Sequence, residues 1–255
     1  MDYLDFLRHL HRALEPRRYL EIGVRWGNSL GVARCLSLGI DPDFSINTEL
    51  HTEVHLFRTT SDEYFARPDP LGPVGGEPFD LSFIDGLHLF EFALRDFINA
   101  EKYSRPSGLI VLDDVLPRNV DEAARVRLTS AWTGDVYPLL PVLQRYRPDV
   151  LVIPINTSST GLVVALGLDP SSTVLVDHYD EIMAEYRRAD PQPVPAEILN
   201  RTFVQPPERV LHSGLLEVLA AAPDDVEPAV LAEQLRGVAG EKLGPAYRLT
   251  SPVLS

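Results

Sequence analysis

The chain has one cysteine, Cys35, in 255 residues, so it can form no intrachain disulfide. That scarcity belongs to a reducing compartment. Cys35 lies in an apolar run and reads as an inert buried thiol rather than a nucleophile. Positive charge is also scarce: 23 Lys and Arg stand against 37 Asp and Glu, a formal net charge of -14. Phosphate backbones are bound by clustered Lys and Arg, so nucleic acid is not an expected partner. No apolar stretch approaches the roughly 20 residues that a membrane span needs. The opening Met1-Asp2-Tyr3-Leu4-Asp5-Phe6 has acid where a secretory leader needs base and apolar length. The expectation is a soluble, cytoplasmic protein with neither a membrane nor a nucleic acid partner. Apolar residues make up 45% of the chain, enough for the core of one large α/β domain or of one domain with an appendage.

Phe6, Leu7, Leu10 and Leu14 recur at helical spacing, which predicts an amphipathic helix over 2–15, ended by Pro16. Tyr19-Leu20-Glu21-Ile22-Gly23 reads as a buried strand. Asn28 can cap a helix running to about Leu38, and 39–42 reads as a short strand stopped by Pro42. Strands are expected at 54–57, at 79–85 and at 108–113, with a helix from about Leu87 to Tyr103 between the last two. Residues 115–137 have no clear period. A helix is expected over 139–147 and strands over 150–155 and 161–168.

Five strands before residue 115, separated by helices or loops, predict a parallel sheet with right-handed crossovers. The five-residue link Asn156–Thr160 is too short for a parallel crossover, so the last two strands form an antiparallel hairpin. The fold class is therefore α/β: a Rossmann-like, doubly wound, mostly parallel seven-stranded sheet with a late antiparallel hairpin. Residues 1–170 are expected to form this unit, with 1–16 as a leading helix. Residues 171–255 read as a mainly helical C-terminal extension, with helices over 171–188, Arg209–Ala221 and Pro228–Val238, available as lid, substrate contact or dimer contact.

Two apolar strands end in acid: Phe83-Ile84-Asp85-Gly86-Leu87-His88 and Val111-Leu112-Asp113-Asp114. Ligands of open α/β sheets bind outside the carboxyl ends of the strands. Three carboxylates there suit a hard cation such as Mg²⁺, Mn²⁺ or Ca²⁺, and His88 is a candidate proton acceptor. Neighbouring side chains alternate faces in a strand, so Asp113 and Asp114 share an ion only where the strand has ended. Asp85 before an apolar helix also reads as an N-cap.

Upstream, Glu21-Ile22-Gly23-Val24-Arg25-Trp26-Gly27-Asn28-Ser29 offers G-x-x-x-G where a dinucleotide site needs G-x-G-x-x-G, with Arg25 at the second glycine. This segment resembles motif I of the class I S-adenosylmethionine-dependent methyltransferases, E/D-x-G-x-x-x-G. The resemblance implies that Glu21, Gly23, Gly27, Asn28 and Ser29 wrap the methionine part, that Asp41 binds the ribose hydroxyls, and that Ser61 and Asp62 flank the adenine.

The pattern I-D-x-x-H, followed by an acidic pair after the next strand, resembles the metal-dependent O-methyltransferases of sugars and other natural products. It implies that Asp85, Asp113 and Asp114 hold Mg²⁺ and that His88, or Asp85, takes the proton of a small-molecule hydroxyl acceptor. The resemblance covers roughly 17–168 and leaves the acceptor and a homo-oligomeric state open. His88 at a helix N-terminus is expected to stay neutral and basic. Alternatives are a metal-independent N- or O-methyltransferase and a non-catalytic S-adenosylmethionine-binding partner protein. Trp132 and Tyr137 are pocket candidates with core packing as the competing reading. Arg118 reads as a surface arginine, with contact to an anionic acceptor group as the alternative. Glu91 and Arg95, four apart, read as a solvated helical ion pair.

Overall fold

The computed structural model describes residues 1–248. Seven strands form one sheet: β1 (Arg18–Ile22), β2 (Leu36–Ile40), β3 (Val54–Phe57), β4 (Phe79–Ile84), β5 (Ser104–Asp113), β6 (Leu151–Ile155) and β7 (Leu162–Leu166). Their order is β3-β2-β1-β4-β5-β7-β6. The first five run parallel. β7 is antiparallel to both β5 and β6. This is the expected class, including the late hairpin.

Register decides which residues meet. Ile22 is level with Ile40 on one side and Ile84 on the other, and Ile84 is level with Leu112. The residues that follow these strands, Gly23, Asp41, Asp85 and Asp113–Asp114, therefore share one edge. The chain order reverses between β1 and β4, the switch point where open α/β sheets bind ligands.

Alternation along the strands supplies two cores. On one face Leu20, Ile22, Leu38, Ile40, Ile84 and Ile110 pack with α3 (Phe90–Lys102) and α4 (Leu139–Tyr146). On the other, Tyr19, Leu81, Phe83, Val111 and Val164 pack with α1 (Tyr3–Leu14) and with three helices of the last third, Pro207–Leu211, Leu215–Ala221 and Pro228–Lys242. The leading helix and the C-terminal helices thus close the face that the earlier crossovers leave open. No helix of the described residues is long and apolar enough to cross a membrane.

Several elements differ from expectation. Where a helix was expected over 28–38 there is a 3-10 turn, Leu30–Val32. The Arg34 guanidinium takes the carbonyls of Gly31, Val32 and Ala33, acceptors that a continuing helix would use, and β2 claims the chain from Leu36. The helix expected from Leu87 begins only at Phe90, because His88 adopts a left-handed φ of 59° and Leu89 is extended. Residues 171–188 hold two helices broken at His178. The expected Arg209–Ala221 helix is also two, split at Gly214 with φ 91°. The last helix runs on to Lys242, and a short helix, Ala196–Leu199, lies in the proline-rich stretch. Residues 115–137 contain neither helix nor strand. They are pinned by Arg125, which bonds Glu91 and Asp135, and by the Trp132 indole N–H on the Ala124 carbonyl at 2.6 Å.

Candidate active site

The glycine turn forms because Gly23 has φ 90° and no side chain. A Cβ there would lie 1.9 Å from the Asp85 carbonyl oxygen, so β1 and the end of β4 could not approach. Asp41 secures the turn from β2. One carboxylate oxygen accepts the N–H groups of Val24 (2.9 Å) and Arg25 (2.7 Å), and the other accepts the Asp43 N–H (2.6 Å). A carboxylate has about four lone-pair sites, so one remains for a hydroxyl.

A cleft of about 570 Å³ opens over this edge. Of the expected cofactor residues, Gly23, Asn28, Ser29, Asp41 and Ser61 line it. Glu21, Gly27 and Asp62 do not. Glu21 is fully buried behind the turn, where it accepts the Tyr19 hydroxyl (2.7 Å) and the Ser29 hydroxyl (2.9 Å), and burial pushes its pKa up to about 8. Its visible work is to brace the turn from within. Asp62 is held by Arg95 in a two-pronged pair at 2.8 Å, while Thr60, not an acid, caps the helix Ser61–Phe65. The expected Glu91–Arg95 pair is consequently absent among the described residues: Glu91 pairs with Arg125 and Arg187.

At the floor of the cleft, Asp85, His88 and Asp114 each offer a ligand atom within 4.8 Å of the others. They do so for local reasons. The N-cap of α3 is Leu89, so Asp85 is not a helix cap. Asp114 has φ 61°, which ends the strand alternation and turns its carboxylate toward His88. Asp113 lies outside the group of three but borders the same small cavity beneath Asp85, His88 and Asp114. His88 Nε2 lies 3.1 Å from Asp85 Oδ1, and Nδ1 lies 3.0 Å from both Asp114 Oδ2 and the Trp132 carbonyl.

The electrostatics follow. Burial raises the pKa of Asp85, with the Asp114 charge adding to it. Burial raises that of Asp113 well above the usual range, followed by Asp114 and Asp85. Burial alone would keep His88 neutral, but hydrogen bonds to Asp114 and Asp85 overcome it and carry its pKa to about 11. The expectation of a neutral base held by the helix dipole is thus corrected: two carboxylates in contact outweigh a partial charge at a helix end. Partly buried, mutually repelling oxygen donors beside one imidazole are a donor set that a hard divalent cation fits.

Several lining residues were not anticipated, Tyr3, Asp96 and Arg127 among them. Tyr3 reaches the cleft from the leading helix, its ring stacked on Phe83 at 6.0 Å. Asp96 is 3% exposed, has one oxygen without a partner, and is raised to about 7 by burial. An acid among the buried positions Ala93, Leu94 and Phe97 of α3 was the available signal. Arg127 and Trp132 come from the irregular 115–137 segment. Arg118 is engaged by Glu122 and Tyr137 is buried.

Residues 20–115 match the model of a family described as a methyltransferase domain. No curated protein matches the chain. Among solved structures it resembles the O-methyltransferase TomG of Streptomyces achromogenes, described as involved in tomaymycin synthesis and in complex with S-adenosylmethionine: 24% identity over 64% of this chain and 78% of that one, TM-score 0.47. An O-methyltransferase from Bacillus cereus is 19% identical over 64% of this chain and 80% of that one, TM-score 0.46. The MycE methyltransferase of the mycinamycin biosynthetic pathway, in complex with Mg, S-adenosylhomocysteine and mycinamycin VI, is 19% identical over 64% of this chain and 48% of that one, TM-score 0.43. Residues 20–115 are thus similar to a methyltransferase domain, and they hold the glycine turn at the switch point of the strand order.

Proposed function

We propose that this protein transfers the methyl group of S-adenosylmethionine to a hydroxyl of a small-molecule acceptor, at the Asp85–His88–Asp114 edge and with a divalent cation, Mg²⁺ or a similar hard ion. The observation that carries the reading is the convergence of these three side chains on the floor of the cleft that the glycine turn lines. Gly23, Asn28 and Ser29 hold the methionine end. The free lone pair of Asp41 takes a ribose hydroxyl, and Ser61 flanks the adenine.

Asp85, Asp114 and the adjoining Asp113 hold the cation. When bound, the ion lowers the pKa of the acceptor hydroxyl and offsets the carboxylate charge that otherwise keeps His88 protonated. His88 accepts the hydroxyl proton, and its stack on Trp132, 5.2 Å between centroids at 16°, fixes the plane in which it does so. Glu21 acts through the turn rather than on the ligand.

The test is calorimetry with S-adenosylhomocysteine, with and without Mg²⁺, joined to methylation of a library of hydroxylated compounds with and without EDTA. Binding of S-adenosylhomocysteine and turnover abolished by EDTA are expected. Full turnover in EDTA would replace this reading with a metal-independent transferase. Tight binding without turnover on any hydroxyl would replace it with a cofactor-binding partner protein.

A further inference from the structure

Arg125 and Arg127 lie two residues apart and differ sharply. Arg125 is consumed by Glu91 and Asp135. Arg127 has no carboxylate partner among the described residues. Its Nε and Nη2 donate to the carbonyls of Thr129 (3.2 Å) and Ser130 (2.6 Å), which stiffens the side chain and leaves Nη1 free. Its guanidinium lies 5.9 Å from the Trp132 ring centroid, and Trp132 in turn stacks on His88 at 5.2 Å. Cation, indole and imidazole therefore form one series, with Arg127 one aromatic ring away from the proposed base.

Exposed apolar side chains occur in the cleft and beside Arg127 along the chain. Eight large apolar side chains are exposed among the described residues. Trp26 and Leu87 are two of them and line the cleft; Val126 and Leu128 are two more and flank Arg127. Exposed apolar side chains such as Trp26 and Leu87 within a cleft mark a binding site. An unpaired guanidinium there, on a chain of net charge -14, marks the sign of its ligand.

Building on the proposed function, we infer that the acceptor is a hydroxylated ring that carries an anionic group, its ring resting among Trp26, Leu87 and Trp132 and its anion held by Arg127. Arg118, the arginine whose position after the acidic pair suggested this role, is spent on Glu122 instead. Arg127 is an acceptor-binding residue that also sets specificity.

The experiment is calorimetry on the full chain, loaded with S-adenosylhomocysteine, using 4-hydroxybenzoate and the neutral, near-isosteric 4-hydroxybenzamide as probes. The acid is expected to bind about tenfold more tightly than the amide, as one partly exposed charged hydrogen bond allows. Arg127→Met should equalise the two probes, and Arg127→Lys should restore part of the difference. Thermal melts of both variants should coincide with that of the unaltered chain. Failure of the acid to bind, equal binding of both probes to the unaltered chain, or a preference that survives in Arg127→Met overturns the inference. Failure to bind S-adenosylhomocysteine overturns the cofactor reading instead, and the acid-over-amide preference is then read on the chain without it.

Discussion

Replacing His11 by Phe should change how stability responds to acid. His11 is 7% exposed on α1, meets the Tyr19 ring edge-on at 4.8 Å, and has both ring nitrogens buried without a partner. Burial, and then the nearby Arg34 charge, lower its pKa to about 4, against 6.5 in the unfolded chain. Between these values the unfolded chain holds the proton and the folded one does not. Stability is therefore lost as pH falls from 6.5 toward 4. At 1.36 kcal/mol per pKa unit, about 2.5 kcal/mol has gone by pH 4.5.

Phe keeps the ring contact with Tyr19 and cannot titrate. The stability difference between the variant and the unaltered chain should grow by about 2.5 kcal/mol from pH 7.5 to pH 4.5, roughly 5–10 °C in melting temperature. Taking the difference matters, because Glu21 and Asp96, with raised folded pKa values, titrate in the opposite sense over part of this range. Urea titrations at four pH values would measure it. Parallel stability curves for the two proteins across the interval would refute the argument.

Three further outcomes are expected. His88→Ala should lower turnover by at least about 10²-fold while S-adenosylhomocysteine affinity stays nearly unchanged, because a general base contributes about 10²–10⁴ in rate; steady-state rates and calorimetry check both halves. Gly23→Ala should abolish S-adenosylhomocysteine binding, since its Cβ would sit 1.9 Å from the Asp85 carbonyl oxygen at a φ that side chains avoid; undiminished binding would contradict the role of the turn. Asp113→Asn should weaken Mg²⁺ binding, giving a higher half-saturating Mg²⁺ concentration for activity.

The fold class and the common edge of the acids were legible because both follow from short-range pattern. Apolar runs of five or six residues, separated by lengths that only a crossover can span, specify a parallel sheet. Acids that end such runs must then fall on its carboxyl edge. The Asn156–Thr160 link identified the hairpin for the same reason. Local signals misled where a distant partner intervened. Arg34 takes the carbonyls of a helix that Asn28 could have started. His88 is drawn out of the first turn of α3 by Asp85 and Asp114, and Gly214 breaks a helix whose apolar spacing continues across it.

By itself, then, the sequence determined the α/β class, the glycine turn and the two strands that end in acid, because each depends on residues close along the chain. Only the tertiary structure decided what each group is free to do. It turned Glu21 inward onto Tyr19 and Ser29, gave Asp62 to Arg95, and clamped His88 between two carboxylates that reverse its expected charge. It also brought Tyr3 and Arg127 to the cleft from segments whose patterns carried no such signal, and of the pocket candidates Trp132 and Tyr137 it placed only Trp132 in the lining. Charge state and hydrogen-bond availability depend on which groups meet across the fold, and that is set by register and packing over tens of residues.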